Sequence, residues 1–259
     1  MGTSWFKVGA EGKKESEKKD TEAKLRAKNR GKGFRFWLKN DTSAKVTYLD
    51  SPNFFFSEHN LKIGGKFGNF FTCLADFDVC PIDESGDMAS YAIAATIIDH
   101  RKYIGGDGTE YRDQKKLFVA KGRARQHLLK QINLRDNNLQ FCHYDLSRGS
   151  SQTESNVGED FNFEKRLNKK SLITFVKKLW DKQGKTYTDK DIEEFLTPFN
   201  YEEIFKPCTQ EELRKIVGGE VPIGSAQDIS IDSIGEDKDN QGTAGAVEEE
   251  IVDIEDLLE

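Results

Sequence analysis

Between residue 34 and about residue 167, short hydrophobic and β-branched runs alternate with turn residues, a spacing that predicts strands. The runs occupy 34–39, 44–49, 54–59, 66–73, 90–99, 111–120, 139–147 and 160–167. Gly105-Gly106-Asp107-Gly108 falls between two of them and reads as a hairpin turn, because glycine supplies the positive φ such turns need. One helix, over 123–132, interrupts the strands. From residue 169 the period changes: Leu172, Phe175, Val176 and Leu179 stand three and four apart, as on one face of a helix. Thr188 before Asp191 and Thr209 before Glu212 mark two further helix starts.

Many short strands with one intercalated helix predict a mainly β domain with α elements. An oligonucleotide-binding (OB) barrel over 34–168 fits better than a sandwich. The helices of 169–217 are expected to form a flap packed on that barrel. Ahead of it, residues 11–32 hold only Ala23, Leu25 and Ala27 as apolar members, too few for a stripe that could be buried. Residues 1–33 therefore read as a basic arm, tipped by an apolar hook of Trp5, Phe6 and Val8. Beyond Gly218-Gly219 the composition turns to Gly, Ser, Asp and Gln, which predicts disorder.

Charge sharpens this division. Residues 218–259 carry thirteen acidic groups against the single base Lys238, a net −12, while the whole chain is −6. The first 217 residues are therefore +6 and hold all 28 aromatic residues. A basic, aromatic-rich body with an acidic tail suits a protein that binds a polyanion and regulates that binding. The most apolar stretch, 92–98, is far short of the ~18 residues a membrane span needs. The N-terminus has no signal-peptide core, which predicts a cytosolic chain, and Phe6 argues against a myristoylation signal at Gly2. In that compartment Cys73, Cys80, Cys142 and Cys208 are not expected to form disulfides.

His59, Cys73, Cys80 and Asp83 form a candidate metal site. Structural zinc takes four tetrahedral ligands, two commonly from a tight C-x-x-C knuckle. Here Cys80-Pro81-Ile82-Asp83 makes that knuckle with aspartate in the second position. The same residues also fit plain burial, with the cysteines as small hydrophobes. Cys142 reads as core.

Single strands are held by stacking bases on aromatic rings and pairing phosphates with Lys and Arg. In 35–39 alternation puts Arg35, Trp37 and Lys39 on one face and Phe36 and Leu38 on the other. Lys45, Tyr48, Lys62 and Lys66 extend this basic and aromatic set. Around the glycine turn, Arg101, Lys102 and Tyr103 oppose Tyr111, Lys115 and Lys116. Phe118, Lys121, Arg123 and Arg125 then lead into a helix whose N-terminus can also receive phosphate. Any one of these aromatics is nearly as well explained by the core.

Taken in order, these pieces resemble the single-stranded DNA-binding (helix-destabilising) proteins of T-even-type phages. The resemblance runs through Trp37-Leu38-Lys39, 44–49, His59, Gly65-Lys66-Phe67, Thr72-Cys73, Cys80-Pro81, Ser90-Tyr91, Lys116-Leu117-Phe118 and the acidic end 252–259. It implies an OB fold with a zinc-type insertion at 53–88. His59, Cys73 and Cys80 match three family zinc ligands, and Asp83 stands where a fourth cysteine would be. It also implies one structural Zn²⁺, Tyr91 in the DNA cleft and a cooperativity arm at 1–33 for self-association. Asp253, Ile254, Glu255, Asp256, Leu257 and Leu258 would recruit the phage polymerase, helicase or its loader, and recombinase. The expected role is non-enzymatic, sequence-independent binding of single-stranded DNA in the cytoplasm of an infected bacterial host. An RNA-binding or strand-annealing protein is the alternative, and a metal-dependent nuclease using His59 a remote one.

Overall fold

A computed structural model describes residues 35–218 other than 64, 65, 105–109 and 152; the basic arm and the acidic segment lie outside the described residues. The strands and first helices are β1 (Thr42–Tyr48), β2 (Phe54–Ile63), β3 (Lys66–Thr72), α1 (Pro81–Glu84), β4 (Ser90–Asp99), β5 (Tyr103–Ile104), β6 (Glu110–Tyr111), β7 (Gln114–Lys121), α2 (Gly122–Leu134), β8 (Cys142–Arg148) and β9 (Asp160–Arg166). Four helices follow: α3 (Lys169–Lys182), α4 (Asp189–Leu196), α5 (Tyr201–Ile204) and α6 (Gln210–Val217).

Seven antiparallel strands form one sheet in the order β3-β2-β4-β1-β8-β9, with β7 on the other edge of β4. β4 is the hub. β7 runs along it from Ala92↔Lys121 to Asp99↔Gln114, while β2 and β1 divide the opposite edge. From Ala92 to Asp99 every residue of β4 is buried, so the strand reads as a nearly continuous apolar run instead of alternating. Ile93, Ala95 and Ile97 enter one core, and Ala92 and Ala94 enter another against Phe205.

The first core is closed from below by α2, whose buried stripe is Ala124, Leu128 and Ile132 at a four-residue spacing. These pack with Val46, Tyr48, Phe118 and Tyr144, and burial of each large side chain contributes roughly 1.5–3 kcal/mol. Gly122, at φ +51°, turns β7 directly into the helix, a conformation that favours glycine.

Over the described residues 35–39 the expected strand does not form. Arg35 makes one parallel bridge to Leu117, the Phe36 amide donates to the Leu117 carbonyl, and the Leu38 amide donates to that of Asn156. Because the amides of Phe36 and Leu38 serve two different segments, no ladder develops. Among the described residues the sheet does not close on itself.

The C-terminal helices form a belt over the sheet's outer surfaces. α3 and α4 bury Leu172, Phe175, Val176, Leu179 and Ile192 against Leu49 and Ile98. Thr188 with Asp191 and Thr209 with Glu212 form the expected capping boxes. The segment leading into α5 is tied to the sheet through Thr96, whose hydroxyl accepts from the Phe199 amide at 2.9 Å and bonds the Tyr201 hydroxyl at 2.7 Å. The belt ends with α6 against α1.

Candidate metal centre and basic cleft

The β2–β3 hairpin pairs His59 with Phe71, which carries the chain back past His59 to Cys73. Cys80 is the N-cap of α1, and Pro81 fills the first helical position, where its missing amide hydrogen costs nothing. That turn presents Asp83 beside both cysteines. The donor atoms of His59, Cys73, Cys80 and Asp83 all lie within 4.8 Å of one another, so the group could hold a metal ion. Cys73 Sγ is 3.1 Å from Asp83 Oδ2, Cys80 Sγ is 3.4 Å from His59 Nε2, and His59 Nε2 is 3.7 Å from Asp83 Oδ1. Tetrahedral donors at ~2.0–2.3 Å from a zinc ion would stand roughly 3.3–3.8 Å apart, and these three pairs are already close to that spacing.

A further residue completes the group. His59 Nδ1 lies 2.9 Å from Asp87 Oδ1, which orients the imidazole so that Nε2 faces the other donors. Such carboxylate–histidine pairs are the usual outer support of a metal-bound histidine. The only hint of Asp87 in the sequence is its place four residues beyond Asp83. Burial pushes the Cys73 thiol up to about 12, with the neighbouring Asp83 and Cys80 adding to the effect and the Ala75 amide opposing it. A bound cation would reverse that balance by favouring the thiolate. Cys142 is buried in β8, as expected, and Cys208 packs at the edge of the small core beside the candidate donors.

Beside this lobe lies a cleft of about 570 Å³, bounded by Arg35–Trp37, β2, β3, the start of α2 and the 153–159 loop. Arg35, Lys121 and Arg123 line it together with Phe36, Trp37, Phe70 and Val119. Its cations are already partnered. Glu58, 1% exposed, accepts from Arg35 Nη1 and Nη2 at 2.9 and 2.7 Å and pairs with Lys121 at 2.9 Å. Burial pushes the Glu58 carboxyl up, but the Arg35 guanidinium and Lys121 ammonium outweigh it and hold the group below the usual carboxylate range. Arg35 also lies 3.8 Å over the Phe70 ring, and Arg123 reaches to within 3.9 Å of Glu159. Neither Glu58 nor Glu159 was legible as part of a basic surface.

Tyr91, 51% exposed, stacks beside Phe55, 43% exposed, at 6.0 Å and 16° between ring planes. The Arg125 guanidinium sits 4.9 Å over Tyr91. Phe55 is thus an aromatic surface residue that the sequence reading passed over.

Other expected surface residues are placed differently. Tyr48 and Phe118 are wholly buried and meet edge to face at 5.7 Å, because their pleat faces the α2 core. Lys116 is buried on the Tyr103 ring, 3.9 Å from Asp99, and desolvation draws its ammonium down to about 8. Arg101 also serves that buried carboxylate at 2.8 Å and donates to the Trp37 carbonyl at 2.7 Å, while the Tyr103 hydroxyl donates to Asp99. Lys115 closes the end of α4 by donating to the Glu194 and Thr197 carbonyls. Lys45 pairs with Glu164 at 3.4 Å and Lys102 with Glu110 at 2.6 Å. Apart from Lys115, which meets backbone carbonyls, these cations meet carboxylates that are remote or unremarkable in sequence, which strand periodicity cannot show.

Lys39 and Lys62 are exposed. Lys66 opens β3 and Tyr111 pairs with Tyr103 across the β5–β6 ladder, with both side chains outside the described residues. The tail positions Asp253 to Leu258 also lie outside them. Among the described residues no helix is long and apolar enough to cross a membrane. No protein-family model and no curated protein matches the chain.

Proposed function

We propose that this chain binds single-stranded DNA without sequence preference, as a replication, recombination and repair accessory and not as an enzyme. The observation that carries the reading is the cleft, which brings Arg35, Lys121 and Arg123 together with Trp37 and Phe70 and keeps one positive charge beyond those that Glu58 and Glu159 offset. Cations spaced among ring faces serve a flexible polyanion whose bases are free to stack. The exposed Phe55–Tyr91–Arg125 stack adds a second platform of the same chemistry. The sheet, its single plugging helix and the bridging segment at 35–38 are read as an OB-type barrel. His59, Cys73, Cys80 and Asp83 would hold one structural Zn²⁺ that sets the lobe beside the cleft. The −12 segment would compete with DNA for the +6 body and, once displaced, recruit replication proteins through 253–258.

Fluorescence titration with poly(dT) at several salt concentrations tests the reading. The logarithm of affinity should fall with the logarithm of salt by about 0.7 per phosphate contacted. A flat response would refute it. Parallel titration with rU oligomers separates DNA from RNA binding. Deleting 219–259 should tighten DNA binding; unchanged affinity would remove the competitor role from the tail.

A further inference from the structure

We propose that α6 is a metal-dependent latch: its docking and the filling of the His59/Cys73/Cys80/Asp83 site are one coupled event. The proposal rests on the metal-binding reading above. Leu213 is fully buried in a small core with Phe71, Cys73, Leu74, Cys80 and Ile82. Two of the four candidate donors therefore share their packing with a helix some 130 residues further along the chain. The lobe is not closed by its own sequence.

Neither partner in this contact can stand alone. α6 has eight residues, a capping box at Thr209 and Glu212, and a single buried side chain, Leu213. Helices this short are marginal in water without a surface to dock on. α1 has only four residues, yet it carries Asp83 and is capped by Cys80. It is braced on one side by the donor group and on the other by α6, where Arg214 reaches Glu84, the neighbour of Asp83, at 3.4 Å. An ion drawing Cys73, Cys80 and Asp83 together would fix the surface on which Leu213 sits. By linkage, docked α6 must favour ion binding by the same factor. Gly218 follows α6, and the acidic residues begin just beyond it, so the latch would also set the point from which that segment departs.

The test uses the full chain under reducing conditions, with ZnCl₂ titrated against a competing colorimetric chelator and amide hydrogen exchange followed at 209–217. With Zn²⁺ bound, exchange at 209–217 should be slow; after chelation it should be at least about tenfold faster, with the exchange of β4 and β7 unchanged. Leu213→Ala should weaken Zn²⁺ binding about 5- to 150-fold, the usual range for coupled sites. Leu213→Met should restore most of it. Should Leu213→Ala fail to fold, Arg214→Glu removes the Glu84 pair from the surface and should weaken Zn²⁺ binding by up to about fivefold. Stoichiometric Zn²⁺ binding with identical exchange at 209–217 and unchanged affinity in these variants would overturn the latch and leave the metal site standing. A chain that takes up no Zn²⁺ would refute the metal reading, and the latch with it.

Discussion

Substituting Glu58 by glutamine probes the wall of the cleft most directly. The carboxylate is 1% exposed and is the shared acceptor of Arg35 and Lys121, whose side chains are 9% and 26% exposed. Glutamine keeps the shape and one acceptor but leaves two cations facing each other without a counter-charge. Breaking a buried ion pair from one side costs about 3–5 kcal/mol. Lys121 can reach water, so the lower end applies, about 3 kcal/mol, or roughly 6–12 °C in Tm for a domain of this size. The loss should depend on pH in a defined direction. Glu58 is held below its ordinary value, so its contribution is present above the unfolded carboxylate value of ~4.3 and disappears as pH falls through the folded value. The gap between wild type and Glu58→Gln should therefore be widest near neutral pH and narrow below about pH 4. Urea unfolding across that range measures it. On the DNA-binding reading, the released Lys121 becomes available to phosphate, and the salt slope should steepen by about 0.7. Equal stability of the two proteins at pH 7, within about 0.5 kcal/mol, would refute the assignment of Glu58 as the resident counter-ion of this wall.

Tyr91→Leu should lower poly(dT) affinity by about 1–3 kcal/mol with little change in salt slope, since stacking is lost and no charge is moved; undiminished affinity in fluorescence titration would remove Tyr91 from the binding surface. Asp87→Asn should weaken Zn²⁺ binding about 10- to 100-fold in chelator competition, as loss of an outer-shell carboxylate does, and wild-type affinity would show that Asp87 does not orient His59. Asp83→Cys should tighten Zn²⁺ by supplying a third thiolate; no gain in the same competition would mean position 83 is not a ligand. The carboxyl of Asp99 is pushed up by burial but held below its usual range by Arg101, Lys116 and Tyr103. Asp99→Asn should accordingly be most destabilising at neutral pH, with the difference fading below about pH 4 in thermal melts; a gap that widened in acid would contradict the sign.

The sequence by itself determined most elements, because hydrophobic period and capping chemistry are local. Thr188 and Thr209 place their helix starts correctly from three residues of context. The group that could hold a metal was legible for the same reason, since His59, Cys73 and the Cys80–Asp83 knuckle are rare residue types at short spacing. Strand periodicity, by contrast, says which residues share a face and not which face is covered. Only the packing of α2 decided that Tyr48 and Phe118 are core while Phe55 and Tyr91 remain in solvent. The segment 35–38 has strand-like alternation, but hydrogen bonding to Leu117 and Asn156 leaves it as a bridge. Charge pairing was the least legible of all. Glu58 lies 23 residues from Arg35 and 63 from Lys121, and Coulomb attraction depends on distance in space alone. The sequence set the excess of positive charge; the tertiary structure decided which of those charges already have partners.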